Sequence, residues 1–264
     1  MPKPENKNWL DIVKKEFDHP SIVLWRAVEL RQIEGLLNKY TMEKPILDLG
    51  CAEGKIASLF FKGKSVVGLD NCWELIKENK KTDTYNAMVM ADACVMPYKN
   101  KVFGSIFSNC VIEHIPDISK VLKESSRVIR DRGIIIFTVP SHKFGDFLFF
   151  SALFNALGFK HLANWYKAKR NKLLNHFHCY DHNRWREILG QNGFRLVEYK
   201  YYLPRRATCY WDLMAAIAII VKHIWPLSCF GRGINNWFSN RLDLYYNMQS
   251  QDGSGLLILA EKGA

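Results

Sequence analysis

The sequence predicts an α/β fold, a doubly wound sheet of seven strands carrying helical cap insertions. Three observations predict it. Between residues 46 and 140 short apolar runs alternate with stretches of helical spacing. The first run, Ile46-Leu47-Asp48-Leu49, meets the small-residue turn Gly50-Cys51-Ala52-Glu53-Gly54, and helical spacing resumes at Ile56, Ala57, Leu59 and Phe60. The second run, Ser65 to Leu69, ends in an acid, Asp70, twenty residues after Gly50. Strand, small-residue turn and helix in succession let backbone approach a ligand closely, and an acid at the tip of the second strand can accept hydrogen bonds from ribose hydroxyls.

In chain order, residues 1–8 are polar. Trp9 to Phe17 and Ser21 to Tyr40 have helical periodicity, separated by His19-Pro20, and form a helical cap over residues 1–43. The core spans 44–140. After the first two strand–helix units, Tyr85 to Met90 is the third strand and is followed by Ala91-Asp92-Ala93. Lys101 to Ser108 is the fourth strand, followed by Asn109-Cys110-Val111-Ile112-Glu113-His114-Ile115-Pro116-Asp117. Val121 to Arg130 has helical spacing, and Gly133 to Pro140 is a buried fifth strand. Residues 141–175 form an insertion in which the aromatic run Phe144 to Phe159 precedes a basic segment with no acid between Asp146 and Asp181. The core resumes over 176–203 with His176-Phe177-His178-Cys179-Tyr180-Asp181, a helix around Trp185, Ile188 and Leu189, and a strand from Arg195 to Leu203. A second insertion, 204–252, contains nine successive apolar residues, Leu213 to Val221. The last strand, Leu256 to Ala260, lies within 253–264.

A dinucleotide fingerprint would place a small residue at Lys55. The small residues fall instead at Gly50, Ala52 and Gly54, a D-x-G-x-A-x-G pattern starting at Asp48. This pattern, with Asp70, Asp92 and the VIEHIPD stretch, resembles class I S-adenosylmethionine-dependent methyltransferases, in particular their type 11-like, small-molecule branch. The resemblance covers residues 44–140 and, less closely, 176–202. It implies a Rossmann-like methyltransferase fold, S-adenosyl-L-methionine as cofactor, and a binding set of Asp48, Gly50, Cys51, Ala52, Gly54, Asp70, Asn71, Asp92, Ala93 and Asn109. Asp70 would take the ribose and Asp92 the adenine amine. In that family the position of Ala52 is more often Gly, a Pro-Gly-Gly turn stands where this chain has Asp131-Arg132-Gly133, and a short hairpin stands where it has roughly fifty residues before the last strand. Where the acceptor is a hydroxyl a general base helps, and His114 and His178, with His176, are the imidazoles in the right neighbourhoods. His176, His178 and His182 lack a Cys or carboxylate to complete a ligand set, so no metal is expected.

The net charge is +11, from 37 Lys and Arg against 26 Asp and Glu. Residues 141–264 carry 16 bases against 8 acids, or +8, so the excess lies outside the cofactor core. Seven Cys without a C-x-x-C pair argue against a secreted disulfide framework. The start has no apolar h-region and no run reaches the roughly 18 apolar residues of a spanning helix. A cytoplasmic transferase is expected, peripheral at an anionic membrane surface. The aromatic and apolar runs, with Trp211, Trp225 and Trp237 and the flanking Arg205, Arg206 and Arg232, point to a small-molecule or lipid-linked acceptor, O-methylated and hydrophobic. The competing reading packs the two runs on each other as a closed lid. Two alternatives are a non-catalytic cofactor-binding protein of the same fold and a nucleic-acid methyltransferase; against the latter, Asn109-Cys110-Val111-Ile112 is neither a Pro-Pro-aromatic motif nor a Pro-Cys nucleophile.

Overall fold

The computed structural model describes residues 7–78, 83–223 and 236–263, with the side chains of 219–223 outside the description. The expectations for Trp225 and Arg232, and for the side chains of Ile219 to Val221, therefore lie outside the described residues. The chain divides into two compact units. One comprises Glu34–His142, Leu174–Lys200 and Leu256–Ala264; the other comprises Met1–Ile33, Lys143–Leu173 and Tyr201–Gly255.

The first unit is built on a seven-stranded sheet in the order β3-β2-β1-β4-β5-β7-β6. The strands are β1 (Ile46–Leu49), β2 (Val66–Asp70), β3 (Tyr85–Met90), β4 (Phe103–Asn109), β5 (Ile129–Pro140), β6 (Phe194–Tyr202) and β7 (Gly255–Lys262). β1 pairs in parallel with β2 on one side and β4 on the other, and β2–β3 and β4–β5 are also parallel. β6 and β7 run antiparallel, since the Gly263 N–H donates to the Gly193 carbonyl at one end and the Ser254 N–H to the Leu203 carbonyl at the other. All four residues of β1 are buried, and so are Ile106, Phe107, Ile135, Ile136 and Phe137. Burial on both faces is why these strands read as continuous apolar runs instead of alternating ones. Helices cover them. Phe61, from α3 (Lys55–Phe61), meets Phe107 edge-on at 5.2 Å, and Trp185, from α9 (His182–Gln191), meets Phe137 at 5.1 Å.

Two boundaries differ from the sequence reading. The helix α5 starts at Ile118, three residues earlier than its apolar spacing indicated, because the Asp117 side chain caps the Lys120 N–H. The fifth strand starts at Ile129, because Asp131-Arg132-Gly133 is not a free turn. Arg132 takes a left-handed φ of 60° inside a strand whose register with β4 shifts between Phe103 and Ser105.

The second unit is helical. α1 (Trp9–Glu16) buries Trp9, Leu10 and Val13. From α2 (Pro20–Leu37), Trp25 packs against Phe144 and Trp211 at 6.0 and 5.3 Å. The aromatic run expected as one helix from Phe144 is two, α6 (Phe144–Phe147) and α7 (Phe149–Ala156), because Leu148 between them is extended (φ −62°, ψ 140°). α8 spans Lys160–Leu173, α10 spans Arg205–His223, and a short α11 covers Leu242–Tyr246. α7 packs on both α8 and α10. Among the described residues no helix is long and apolar enough to cross a membrane.

One buried carboxylate ties three of these helices. Asp212 of α10 accepts from the Tyr166 hydroxyl of α8 at 2.9 and 3.0 Å and lies 3.2 Å from the Arg170 guanidinium. It also accepts the backbone N–H groups of Phe149 and Phe150 at the start of α7. Burial raises its carboxyl above the usual range, while Arg170 and these donors pull it back. Removing one partner of such a buried network strands the other. Asp212→Ala should therefore cost about 3–5 kcal/mol of unfolding free energy by denaturant titration, and Asp212→Asn clearly less.

Candidate active site

The strand order reverses direction between β1 and β4: β2 and β3 extend the sheet on one side of β1, β5 on the side of β4. In an open parallel sheet the crevice outside the carboxyl ends at such a switch point is where ligands bind. The turn after β1 and the segment after β4 flank it, and they are in close contact. A Cβ on Gly50, whose φ is 78°, would meet Val111 methyl carbons at 2.3 and 2.5 Å, so both the backbone angle and the space demand glycine. Gly54 is also left-handed, at φ 75°. Ala52 shares the region at φ 42°, strained for a residue with a Cβ.

The carboxylates expected at the site lie at the ends of adjacent strands. Asp70, closing β2, accepts the Ala52 N–H on one oxygen and the Cys72 N–H on the other, both at 2.9 Å. The acid thus holds the turn after β1 in shape as well as standing beside it. Asp92 follows β3; it is exposed and accepts the Cys94 N–H at 2.8 Å. Asn71 is exposed, Ala93 buried, and Asn109 closes β4, its amide donating to the Thr138 hydroxyl at 2.7 Å. Cys51 is buried with its sulfur facing Gly68, and burial followed by the charges of Asp48 and Asp70 pushes its thiol far up, which keeps it un-ionised. Asp48 is fully buried and accepts the Tyr85 hydroxyl at 2.5 Å. Tyr85 and Thr138 were not singled out in the sequence. Each is a polar residue on a strand, and only the cross-sheet pairing says which side chain it meets.

The imidazoles divide into two kinds. His178 is buried. Its Nε2 donates to the Ile115 carbonyl at 2.8 Å, which leaves Nδ1 to accept from the Tyr180 hydroxyl at 3.2 Å. Both ring nitrogens are engaged, so His178 joins the segment after β4 to the segment before α9. His114, in a 3-10 turn over Ile112–His114, is part-exposed. Its Nδ1 donates to the Asn175 carbonyl at 3.1 Å, which orients the ring and assigns the lone pair to Nε2. That Nε2 is 3.8 Å from Glu113 Oε1, beyond hydrogen-bond length. The His176 ring lies against His114, centroids 5.6 Å apart. His182 instead stacks on Tyr199 at 4.0 Å. Among the described residues no group of three His, Cys, Asp or Glu side chains could hold a metal ion.

Asp48 makes stability pH-dependent. Burial, reinforced by the charge of Asp70 and opposed by the Tyr85 hydrogen bond, raises its carboxyl from 3.8 to about 7. Folding therefore takes up a proton between those values. The associated stability is complete below about pH 4 and is lost as pH rises to about 7. Over that window unfolding free energy should fall by about 1.4 kcal/mol per pH unit more steeply in the native protein than in Asp48→Asn. Denaturant titrations across the window measure it, and parallel curves would refute the assignment.

Residues 47–137 match a family model described as a methyltransferase domain. A malonyl-[acyl-carrier protein] O-methyltransferase of Hamiltonella defensa subsp. Acyrthosiphon pisum is 34% identical over 94 residues, 35% of this chain and 36% of that one. The chain spans little more than a third of the length of the curated relatives it first matches. Among solved structures, the geranyl diphosphate C-methyltransferase of Streptomyces coelicolor A3(2) superposes with a TM-score of 0.58 at 12% identity, over 99% of this chain and 83% of that one. The phosphoethanolamine N-methyltransferase 2 of Haemonchus contortus, solved with S-adenosyl-L-methionine, gives 0.55 at 17% identity, over 88% and 52%. These matches place a methyltransferase domain at residues 47–137, around the switch-point turn and its carboxylates, and the solved structures share the fold.

Proposed function

We propose that the protein transfers the methyl group of S-adenosylmethionine to an oxygen of a small, hydrophobic or lipid-linked acceptor while associated with an anionic membrane surface from the cytoplasmic side. The cofactor reading rests on the switch-point crevice, where carboxylates close or follow neighbouring strands around a left-handed turn. When bound, the cofactor supplies a methyl group already activated on a sulfonium, so the protein's main task is alignment. Asp70, braced by two backbone donors, has lone pairs left for ribose hydroxyls. Asp92, exposed after β3, suits an exocyclic amine. Gly50, Cys51, Ala52 and Gly54 supply the closely approaching backbone, with Asp48, Asn71, Ala93 and Asn109 around it. For a hydroxyl acceptor, His114 Nε2 is the base we favour, and His178 positions the loop that carries it. O-methylation agrees with the described activity of the Hamiltonella relative, which is similar over the core alone.

The acceptor reading is carried by one surface. On α7, α8 and the turn joining them, Leu157, Phe159, Trp165 and Leu173 are 59%, 60%, 54% and 61% exposed. Lys160, Lys169 and Lys172 are exposed on the same helix, and the Lys169 ammonium lies 4.8 Å from the Trp165 ring centre. Exposed aromatic and aliphatic side chains among lysines suit a headgroup boundary, where each base contributes about 1 kcal/mol before screening. The Phe149 and Phe150 end of the run is half-buried, so the membrane-facing residues lie further along the chain than the densest aromatic stretch.

Two measurements test these proposals. Asp70→Ala should weaken cofactor binding by about 1.5–3 kcal/mol in calorimetry, and an unchanged affinity in a folded variant removes Asp70 from the site. Sedimentation with anionic vesicles should require the anionic lipid, fall with added salt, and drop in Phe159→Asp and Trp165→Asp. Full activity on a water-soluble acceptor with no vesicle binding under any condition sinks the membrane reading.

A further inference from the structure

A cavity of about 610 Å³ lies within the helical unit, between α7, α10 and α11. It is lined by Phe149, Tyr210, Leu213, Leu244, Tyr245 and Met248, and by Arg205 and Arg206, the first residues of α10, with Cys209. Two polar groups of the walls are engaged. The Tyr210 hydroxyl donates to the Phe238 carbonyl at 2.9 Å, and the Cys209 thiol to the Phe147 carbonyl at 3.2 Å. Tyr210 and Tyr245 stack at 4.0 Å, presenting ring surface. The nearest acid on α10, Asp212, is committed to Tyr166 and Arg170. Arg205 and Arg206 are both exposed, and neither forms an ion pair among the described residues.

An apolar cleft lined also by two arginines that form no ion pair among the described residues has a definite complement. The walls offer an alkyl chain nothing but apolar contact, and the arginines offer an anion paired, planar donors. The volume falls within the roughly 300–1,000 Å³ of small-molecule pockets. A volume of about 610 Å³ gives room for one alkyl chain with its head. We infer that this cavity binds a single-chain amphiphile with an anionic head, its chain between α7, α10 and α11 and its head on Arg205 and Arg206. The residues it uses are none of those assigned above to the cofactor or to the base.

Calorimetric titration of the full chain with decyl phosphate below its micelle concentration, with decanol and with inorganic phosphate tests it. Decyl phosphate should saturate one site, decanol should bind roughly tenfold or more weakly, and inorganic phosphate should give no saturable heat. The double variant Arg205→Gln, Arg206→Gln should lose the preference for phosphate over alcohol and keep the binding of decanol. Leu244, 63% exposed, can be changed without disturbing the core, and Leu244→Asp should weaken both alkyl ligands. Absence of saturable binding, equal affinity for decyl phosphate and decanol, or a preference that survives the double variant would overturn the inference. Titration with S-adenosylmethionine in the same samples reports the cofactor site separately, so either can fail alone.

Discussion

The approach of Gly50 to Val111 is the constraint on which the unit built on the sheet depends. β1 and β4 are neighbours in the sheet although more than fifty residues separate them in sequence, and their pairing brings the turn after one against the segment after the other. No side chain fits between them at Gly50. Once this contact is made, the left-handed turn through Gly54 is committed, and Asp70 can reach back to the Ala52 N–H. A crevice is then bounded by backbone on one side and by the segment carrying Glu113 and His114 on the other. Binding energy in such a site comes from preorganisation, because turn, acid and histidine-bearing segment are held before any ligand arrives.

The second constraint is that the segment after β4 is not self-supporting. It is one 3-10 turn, and its geometry is borrowed from residues 175–180. The Phe177 N–H donates to the Glu113 carbonyl at 2.9 Å, His178 to Ile115, and the Asn175 carbonyl accepts from His114. The two histidines that looked alike in sequence therefore separate by environment. One is saturated by hydrogen bonds and holds a loop; the other has one nitrogen oriented by a carbonyl and the other 3.8 Å from the Glu113 carboxylate, beyond hydrogen-bond length. Burial decides the division, since an enclosed imidazole must satisfy both nitrogens within the protein.

In the helical unit Asp212 plays the corresponding part. A carboxylate in an apolar setting is costly unless surrounded by donors, and here the donors come from α7 and α8. The same interaction ties α7 to α10, two of the helices that line the cleft they share with α11. The aromatic and apolar runs do pack on each other, as α7 on α10, yet they leave a cavity lined by ring and alkyl surface. Packing of the runs and exposure of Leu157 to Trp165 are thus compatible, because they use different faces and different stretches of the same insertion.

Local chemistry made the sheet legible in the sequence. Strands buried on both faces are continuous apolar runs, a left-handed turn needs small residues, and an acid twenty residues on marks the end of the next strand, so β1 to β5 and the residues around Gly50, Asp70 and Asp92 could be read from spacing. The start of β5 could not, because the left-handed Arg132 is a bulge imposed by pairing with β4 and leaves no compositional mark. Nor could the partners of buried polar groups: Tyr85 on Asp48, Tyr180 on His178, Tyr166 and Arg170 on Asp212 lie between 2 and 46 residues apart in sequence. Which of several hydroxyls or bases meets a given carboxylate depends on strand order and helix packing. Periodicity records which face of an element is buried; only the tertiary structure decides what that face is buried against.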